Sequence, residues 1–476
     1  MYSALVLLLA AVATAAMLFF LRSKKMTQFD RVLKVLVVIF CVLGFSRLFL
    51  SDAIVFEING GWYEGIRYED ADVWHVILRW GYFLNYAVLP MAVFYESRFF
   101  RNIAAVVCLP FSILSAVFFN DYMEYFLSEL GRGYHLPAPA RYVLFVIELV
   151  LAISVPLTLL IKKKHVPNVK SGKEMTELLL GIPATLFAAM PLYAPQAFLG
   201  YNNREPAIGS NYHLTWIAFL FVLCVSMYYI FRFKNYDTRY RLCVFITILG
   251  LFQFNSIYLM GVTIRRLPFQ LCNIATYFYF IAMVFKLKKM FQFCFIANMT
   301  GAIFAIIVAD LGYGNFSFFT MEYVIEHTYV LLIPAMVMGL RILPRVDTKS
   351  LKYVFGGFTL YFLFAFVLGT VLNGFSDVTG EKVNYFFMFD LELAYDFFPF
   401  MTFTSNWHYT LGRFEFYPVV VVLIYLLYSL LCFLIYLLVR FAYKLEDDHL
   451  ELRRSSIELR ERITGRPSWR KKYFVE

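Results

Sequence analysis

PVVVVLIYLLYSLLCFLIYLLV, residues 418–439, contains no charged side chain. A helix needs about 20 apolar residues to cross the hydrocarbon layer of a bilayer, and one that is apolar on every face over that length has lipid as its solvent. Twelve further blocks of this kind precede it, at 2–21, 32–51, 74–95, 102–120, 141–161, 178–199, 213–232, 242–263, 267–285, 291–311, 322–341 and 352–373. The ten-residue alternating segments of a closed β-barrel, the other architecture that satisfies the backbone in lipid, are absent from the sequence. The expected fold is all-α, a polytopic transmembrane helical bundle of about thirteen spans.

The whole chain agrees with that block. Its 476 residues are 61% hydrophobic, 20% aromatic and only 16% charged, with a mean hydropathy of +0.67. Soluble domains carry about a quarter charged residues. A soluble enzyme, a nucleic-acid-binding domain and a disordered chain are excluded. The net charge of +10 sits in short connections and in the tail, where it reports orientation and contact with anionic headgroups rather than nucleic acid. Connections after the odd-numbered spans are rich in lysine and arginine, as in KKKHVPNVKSGK (162–173), and those after even-numbered spans are poor in them. The positive-inside rule then places the N-terminus outside and the C-terminus in the cytoplasm of a multi-pass cell-membrane protein. The first block lacks a basic n-region, its charges (Arg22, Lys24, Lys25) following it, so it reads as a retained span. All seven cysteines fall inside apolar blocks, which points to no disulfide, no metal site and no cofactor.

The basic connection KNYDTRYR (234–241) is the natural seam. It divides a seven-span region of unassigned role, 1–233, from a six-span unit, 234–440, and a basic cytoplasmic tail, 441–476, that opens on a charged helix, KLEDDHLELRRSSIELRERI. Two outer loops stand out. One, at 52–73, ends in YEDAD (68–72); the other, at 374–417, holds about fifteen aromatic residues, including NYFFMF (384–389). The second is expected to lie in the interface or re-enter the outer leaflet.

Ionisable groups at membrane depth are functional candidates. Arg47, Arg79, Glu148, Asp310 and His327 qualify, with Asn85, Asn255, Asn273 and Asn298 as polar company. Their levels predict a polar pocket open to the outer face; an Arg79–Glu148 pair that only ties helices together is the alternative. More specific is RRLPFQLCN (265–273), which sets Cys272 about five residues into span 9, while His327 lies about as deep in span 11. A thiol beside an imidazole is a nucleophile with its base, and Asp310 could orient the ring. A cysteine in an apolar span also serves as packing.

From about Lys234 to Arg440 the chain resembles the YwaF family of integral membrane proteins, whose animal relatives include transmembrane protein 164. The residues that carry the likeness are LPFQLCN (267–273), Asn298, Gly301 and Ala302 in the next span, EHTYV (326–330), the NYFFMF stretch and the aliphatic last span. In the animal relative the family cysteine and histidine are the proposed pair of a phospholipid-remodelling acyltransferase, and by motif position Cys272 and His327 match them. The chain departs from many bacterial members in having Gln270 where they have histidine, and VIEHT without their glycine.

The resemblance implies a Cys272 nucleophile and a His327 base and acid in an outer-leaflet transacylase whose partners are membrane phospholipids. Gln270 and Asn273 share a helix face from which to donate to an oxyanion, or to bond a neighbouring helix. Arg265 and Arg266 suit a lipid phosphate or serve as interfacial anchors. Two rivals come from other classes. Pro183, Pro191 and Pro195 break span 6 as in transporters and flippases. Glu69, Asp70 and Asp72 resemble the acidic outer loop of glycosyltransferases that use a lipid-linked sugar.

Overall fold

The computed structural model describes residues 2–20, 22, 26–46, 73–119, 137–163, 167–168, 170–192, 194–200, 206–256, 263–264, 267–309, 311, 314–389, 391–392, 395 and 399–465. The acidic loop with Glu69, Asp70 and Asp72 lies outside them, as do Arg47, Arg265, Arg266 and Asp310.

Among the described residues the protein is all-α apart from one small hairpin. In chain order the helices are α1 (Tyr2–Phe20), α2 (Met26–Ser46), α3 (Val73–Phe83), α4 (Asn85–Val93), α5 (Arg98–Ile103), α6 (Leu109–Val117), α7 (Ala138–Lys163), α8 (Gly172–Ala188), α9 (Ala194–Leu199), α10 (Asn211–Phe231), α11 (Tyr236–Asn255), α12 (Leu271–Val284), α13 (Lys288–Ile307), α14 (Phe318–Gly339), α15 (Leu351–Gly374), α16 (Ser376–Thr379) and α17 (Pro418–Thr464). Among the described residues nine helices are long and apolar enough to cross a bilayer, against the thirteen expected. The other four expected blocks fall short for separate reasons. Helix α2 starts early and takes in Asp30, Arg31 and Lys34. The block at 178–199 breaks between α8 and α9 around Pro191. Helix α11 also starts early and carries Asp237, Arg239 and Arg241. Helix α12 has 14 residues, about 21 Å at 1.5 Å per residue, which is less than the hydrocarbon thickness.

The chain divides into two compact units that interleave in sequence. The first holds Met1–Leu220, Arg241–Pro268 and Ala305–Ile333; the second holds Phe221–Tyr240, Phe269–Phe304 and Pro334–Glu476.

In the first unit α1 and α2 both pack on α7. Helix α1 buries only Val6, Ala10 and Thr14, spaced by four, and leaves Phe19 81% exposed. One narrow stripe meets protein and the remaining apolar surface suits lipid. Buried Glu148 of α7 accepts hydrogen bonds from Tyr82 (2.8 Å) and from Tyr86. The break between α8 and α9 frees backbone carbonyls, and side chains answer them: Gln253 Nε2 donates to Met190 O (2.7 Å) and the Tyr329 hydroxyl to Ala188 O (3.0 Å). Unpaired carbonyls in lipid cost several kcal/mol each, so a broken span needs such donors.

In the second unit Phe358 of α15 stacks on Tyr425 and Tyr428 of α17. The 374–417 connection folds into α16, two 3-10 turns and a hairpin, Tyr409–Leu411 paired with Phe414–Phe416 across Gly412-Arg413. Gly412 sits at φ +62, the first central position of a II′-type turn, which only glycine takes without strain. Helix α17 runs 47 residues without interruption, so the last span and the charged tail are one rod.

Contacts within each unit sort by side. In the first, Arg98 and Glu174 (3.0 Å) join the connections after spans 3 and 5. In the second, Arg239 donates to Leu340 O (2.8 Å) and Arg345 to Asp447 (2.8 Å), while Gln270 donates to Asn384 O (3.0 Å).

Candidate functional site

The LPFQLCN stretch begins as a turn, over Leu267–Gln270, because Pro268 disfavours helix for the residue before it. Gln270 is the N-cap of α12 at φ −65, ψ 148, and the first intrahelical bond runs from Ile274 N–H to Gln270 O (3.0 Å). Cys272 is therefore the second residue of the helix, in its first turn, rather than five residues inside a span. The N–H groups of a first turn have no intrahelical acceptor and together with the helix dipole favour negative charge there.

Two side chains from other elements of the second unit, and one of its own, fix this turn. Tyr361 of α15 donates its hydroxyl to Phe269 O (2.7 Å), Asn298 of α13 donates to Leu271 O (3.1 Å), and Gln270 reaches Asn384 O. Cys272 is half-buried, and its thiol donates to Asn273 Oδ1 at 3.0 Å. Turning that carboxamide over presents its NH2 to the sulfur instead, the arrangement a thiolate needs. Gly301 makes room for the aromatic wall: a Cβ there would stand 2.7 Å from the Tyr428 hydroxyl, which donates to Ala297 O (2.9 Å).

Sequence reasoning missed Tyr385. Its ring is 1% exposed and its hydroxyl has no hydrogen-bond partner among the described residues. The two residues after Tyr385, Phe386 (φ 54) and Phe387 (φ 60), hold left-handed backbone that costs a non-glycine residue about 1 kcal/mol each. The aromatic run NYFFMF was visible in the sequence; the strain was not.

His327 is in α14, in the first unit, 3% exposed. Its Nδ1 bonds Tyr323 O at 2.7 Å and its ring lies over Tyr323 with centroids 4.2 Å apart. A carbonyl accepts only, so Nδ1 carries a proton, and Nε2 is the nitrogen left to gain or lose one. The adjoining Glu326 is also buried, and its Oε1 has no hydrogen-bond partner among the described residues. Gln270, Cys272 and Asn273 thus come together in one turn, and His327 is set by its own helix. Asp310, Arg265 and Arg266 have no described placement.

Fold and composition define a multi-pass α-helical membrane protein. Residues 207–439, just under half of the chain, match the TMEM164 family model, and this region is that of a TMEM164-like membrane protein. The match bears out the resemblance seen in the sequence but begins earlier, taking in α10. No curated protein and no solved structure matches the chain.

Proposed function

We propose that the chain is a phospholipid transacylase with Cys272 as nucleophile and His327 as base. The observation that supports it most is the clamped start of α12, where Tyr361, Asn298 and Gln270 hold the turn that bears the thiol. Such fixing from outside is what positions a catalytic group. The sulfur attacks the ester carbonyl of a phospholipid; the carbon–oxygen ester bond breaks, and the lysophospholipid alkoxide leaves with the proton that His327 took from the thiol. An acyl thioester stays on Cys272. A second lysophospholipid hydroxyl then gives its proton to His327 and takes the acyl group. In this reading the Tyr323 carbonyl orients the imidazole, Asp310 steadies its charged form, Asn273 and the unpartnered Tyr385 hydroxyl donate to the oxyanion, and Arg265 and Arg266 hold the lipid phosphate. The site lies in the outer leaflet of the cell membrane.

Metabolic labelling with an alkyne fatty acid tests this. A hydroxylamine-sensitive adduct is expected on wild type and on His327→Ala at a lower level, absent from Cys272→Ser, and discharged by added lysophospholipid. A folded wild type without adduct overturns it. A second reading, transport or lipid flipping without chemistry, draws on the broken α8–α9 span, where Gln196 is fully buried and neither amide atom has a partner among the described residues. Movement of an unaltered lipid by Cys272→Ser would favour it.

A further inference from the structure

Where the odd-numbered connections of the second unit meet, the surface opens into a cleft of about 700 Å3. Lys286 and Lys288, Arg341 and Arg345, Tyr236 and Asp447 line it. Asp447 holds Arg341 at 3.0 Å and Arg345 at 2.8 Å, and Glu446 also binds Arg345. No ion pair among the described residues includes Lys286 or Lys288, both exposed; Lys286 lies over the Tyr240 ring at 5.1 Å. Two lysine charges therefore face the cleft without a carboxylate.

The backbone under two of these cations is strained. Helices α12 and α14 both end here in the same motif, closed by Leu287 N–H to Ala282 O and Ile342 N–H to Val337 O (2.9 Å each). Its left-handed position is ordinarily glycine. Here it is Lys286 (φ 53) and Arg341 (φ 56). Beside the lysines Phe285 is 67% and Leu287 43% exposed. Alternating exposed apolar and basic side chains fit the level of lipid headgroups, and do not suit a free anion in water.

We propose that this cleft binds the phosphate-bearing headgroup of an anionic phospholipid in the cytoplasmic leaflet. Lys286 and Lys288 meet the phosphate, Phe285 and Leu287 the upper acyl chains, and the acidic pair on α17 fixes the two arginines as the far wall. It stands at the opposite end of α12 from Cys272 and does not depend on the acyl-transfer reading.

Native mass spectrometry of the purified full-length chain, delipidated and titrated with phosphatidylglycerol or phosphatidylcholine, tests it. One phosphatidylglycerol is expected to be retained in preference to phosphatidylcholine, and excess inorganic phosphate leaves it bound. Lys286→Gln with Lys288→Gln weakens that lipid roughly thirtyfold. Lys286→Gly removes the charge and relaxes the backbone, so it lowers lipid affinity with melting temperature unchanged or raised. Equal retention of the two lipids, displacement by inorganic phosphate, or full affinity in Lys286→Gly overturns the proposal, the last by leaving Lys286 only a helix-ending role.

Discussion

Asn298 donates its side-chain amide to the carbonyl of Leu271 at 3.1 Å, one residue before Cys272. The bond ties α13 to the first turn of α12 and so sets where the thiol stands without touching it. Asn298→Leu removes this second donor to a carbonyl that keeps its helical bond, which costs about 1 kcal/mol. The variant is expected to melt earlier, and its Cys272 to react with a maleimide at a changed rate while the other cysteines keep theirs. An unaltered Cys272 rate would show the turn to be held without Asn298.

Tyr385→Phe removes one oxygen and no packing volume. An ordinary buried hydroxyl without a partner is a burden, so the variant should be as stable as wild type or more so. If that hydroxyl meets the oxyanion, acyl turnover falls about 100-fold or more with KM little changed. Stability and turnover moving in opposite directions is the signature; equal turnover assigns Tyr385 to packing.

Gln253 and Tyr329 carry the break in the sixth apolar block. Gln253→Leu strands Met190 O, and Tyr329→Phe leaves Ala188 O with only the long 3.5 Å bond from Gln253. Each loss is expected to cost about 1–3 kcal/mol, read as a lower melting temperature. A helix that closes across the break in the variants, seen as added helicity, would mean that the prolines alone do not hold it open.

Asp347 caps the 3-10 turn Thr348–Ser350 that leads into α15, with Ser350 returning its side chain to the Asp347 N–H. Hydrogen bonds from Ser350 hold the Asp347 carboxyl below its ordinary value of 3.8. A depressed carboxyl stabilises fully above that ordinary value and loses its effect as pH falls through the lower folded one. Asp347→Ala should therefore cost about 1 kcal/mol at neutral pH, and the gap to wild type should close as the pH drops below 3.8. A gap that persists in acid would assign the cost to something other than the charged cap.

Apolar blocks such as 418–439 were legible because lipid demands length and composition, and these are written locally. The break at Pro191 was legible because proline removes a backbone donor. The start of α12 was not legible: Phe269 and Gln270 look like the opening of an apolar span, and only bonds to distant residues, Tyr361 to Phe269 O and Gln270 to Asn384 O, hold them in a turn ahead of the helix. Asn298 stood out as a polar residue in a span, but its partner Leu271 O is a backbone atom with no mark in the sequence. The strain at Phe386 and Phe387 and the isolation of Tyr385 exist only once the chain has closed around them. The hairpin left a trace, the alternation of HYTLGRFEFY about a glycine, hidden within a longer aromatic stretch.

The unbroken α17 makes the apolar span and the charged arm that follows it a single lever. Its 47 residues measure about 70 Å, more than twice the hydrocarbon layer. A change of about 10° in the tilt of the span, well within the range such helices adopt, swings the far end by roughly 12 Å. Arg341 and Arg345 grip the rod at Glu446 and Asp447, near the point where it leaves the lipid. Because those ion pairs join the rod to the connection after α14, any change in the tilt of the span carries that corner and the charged end along with it.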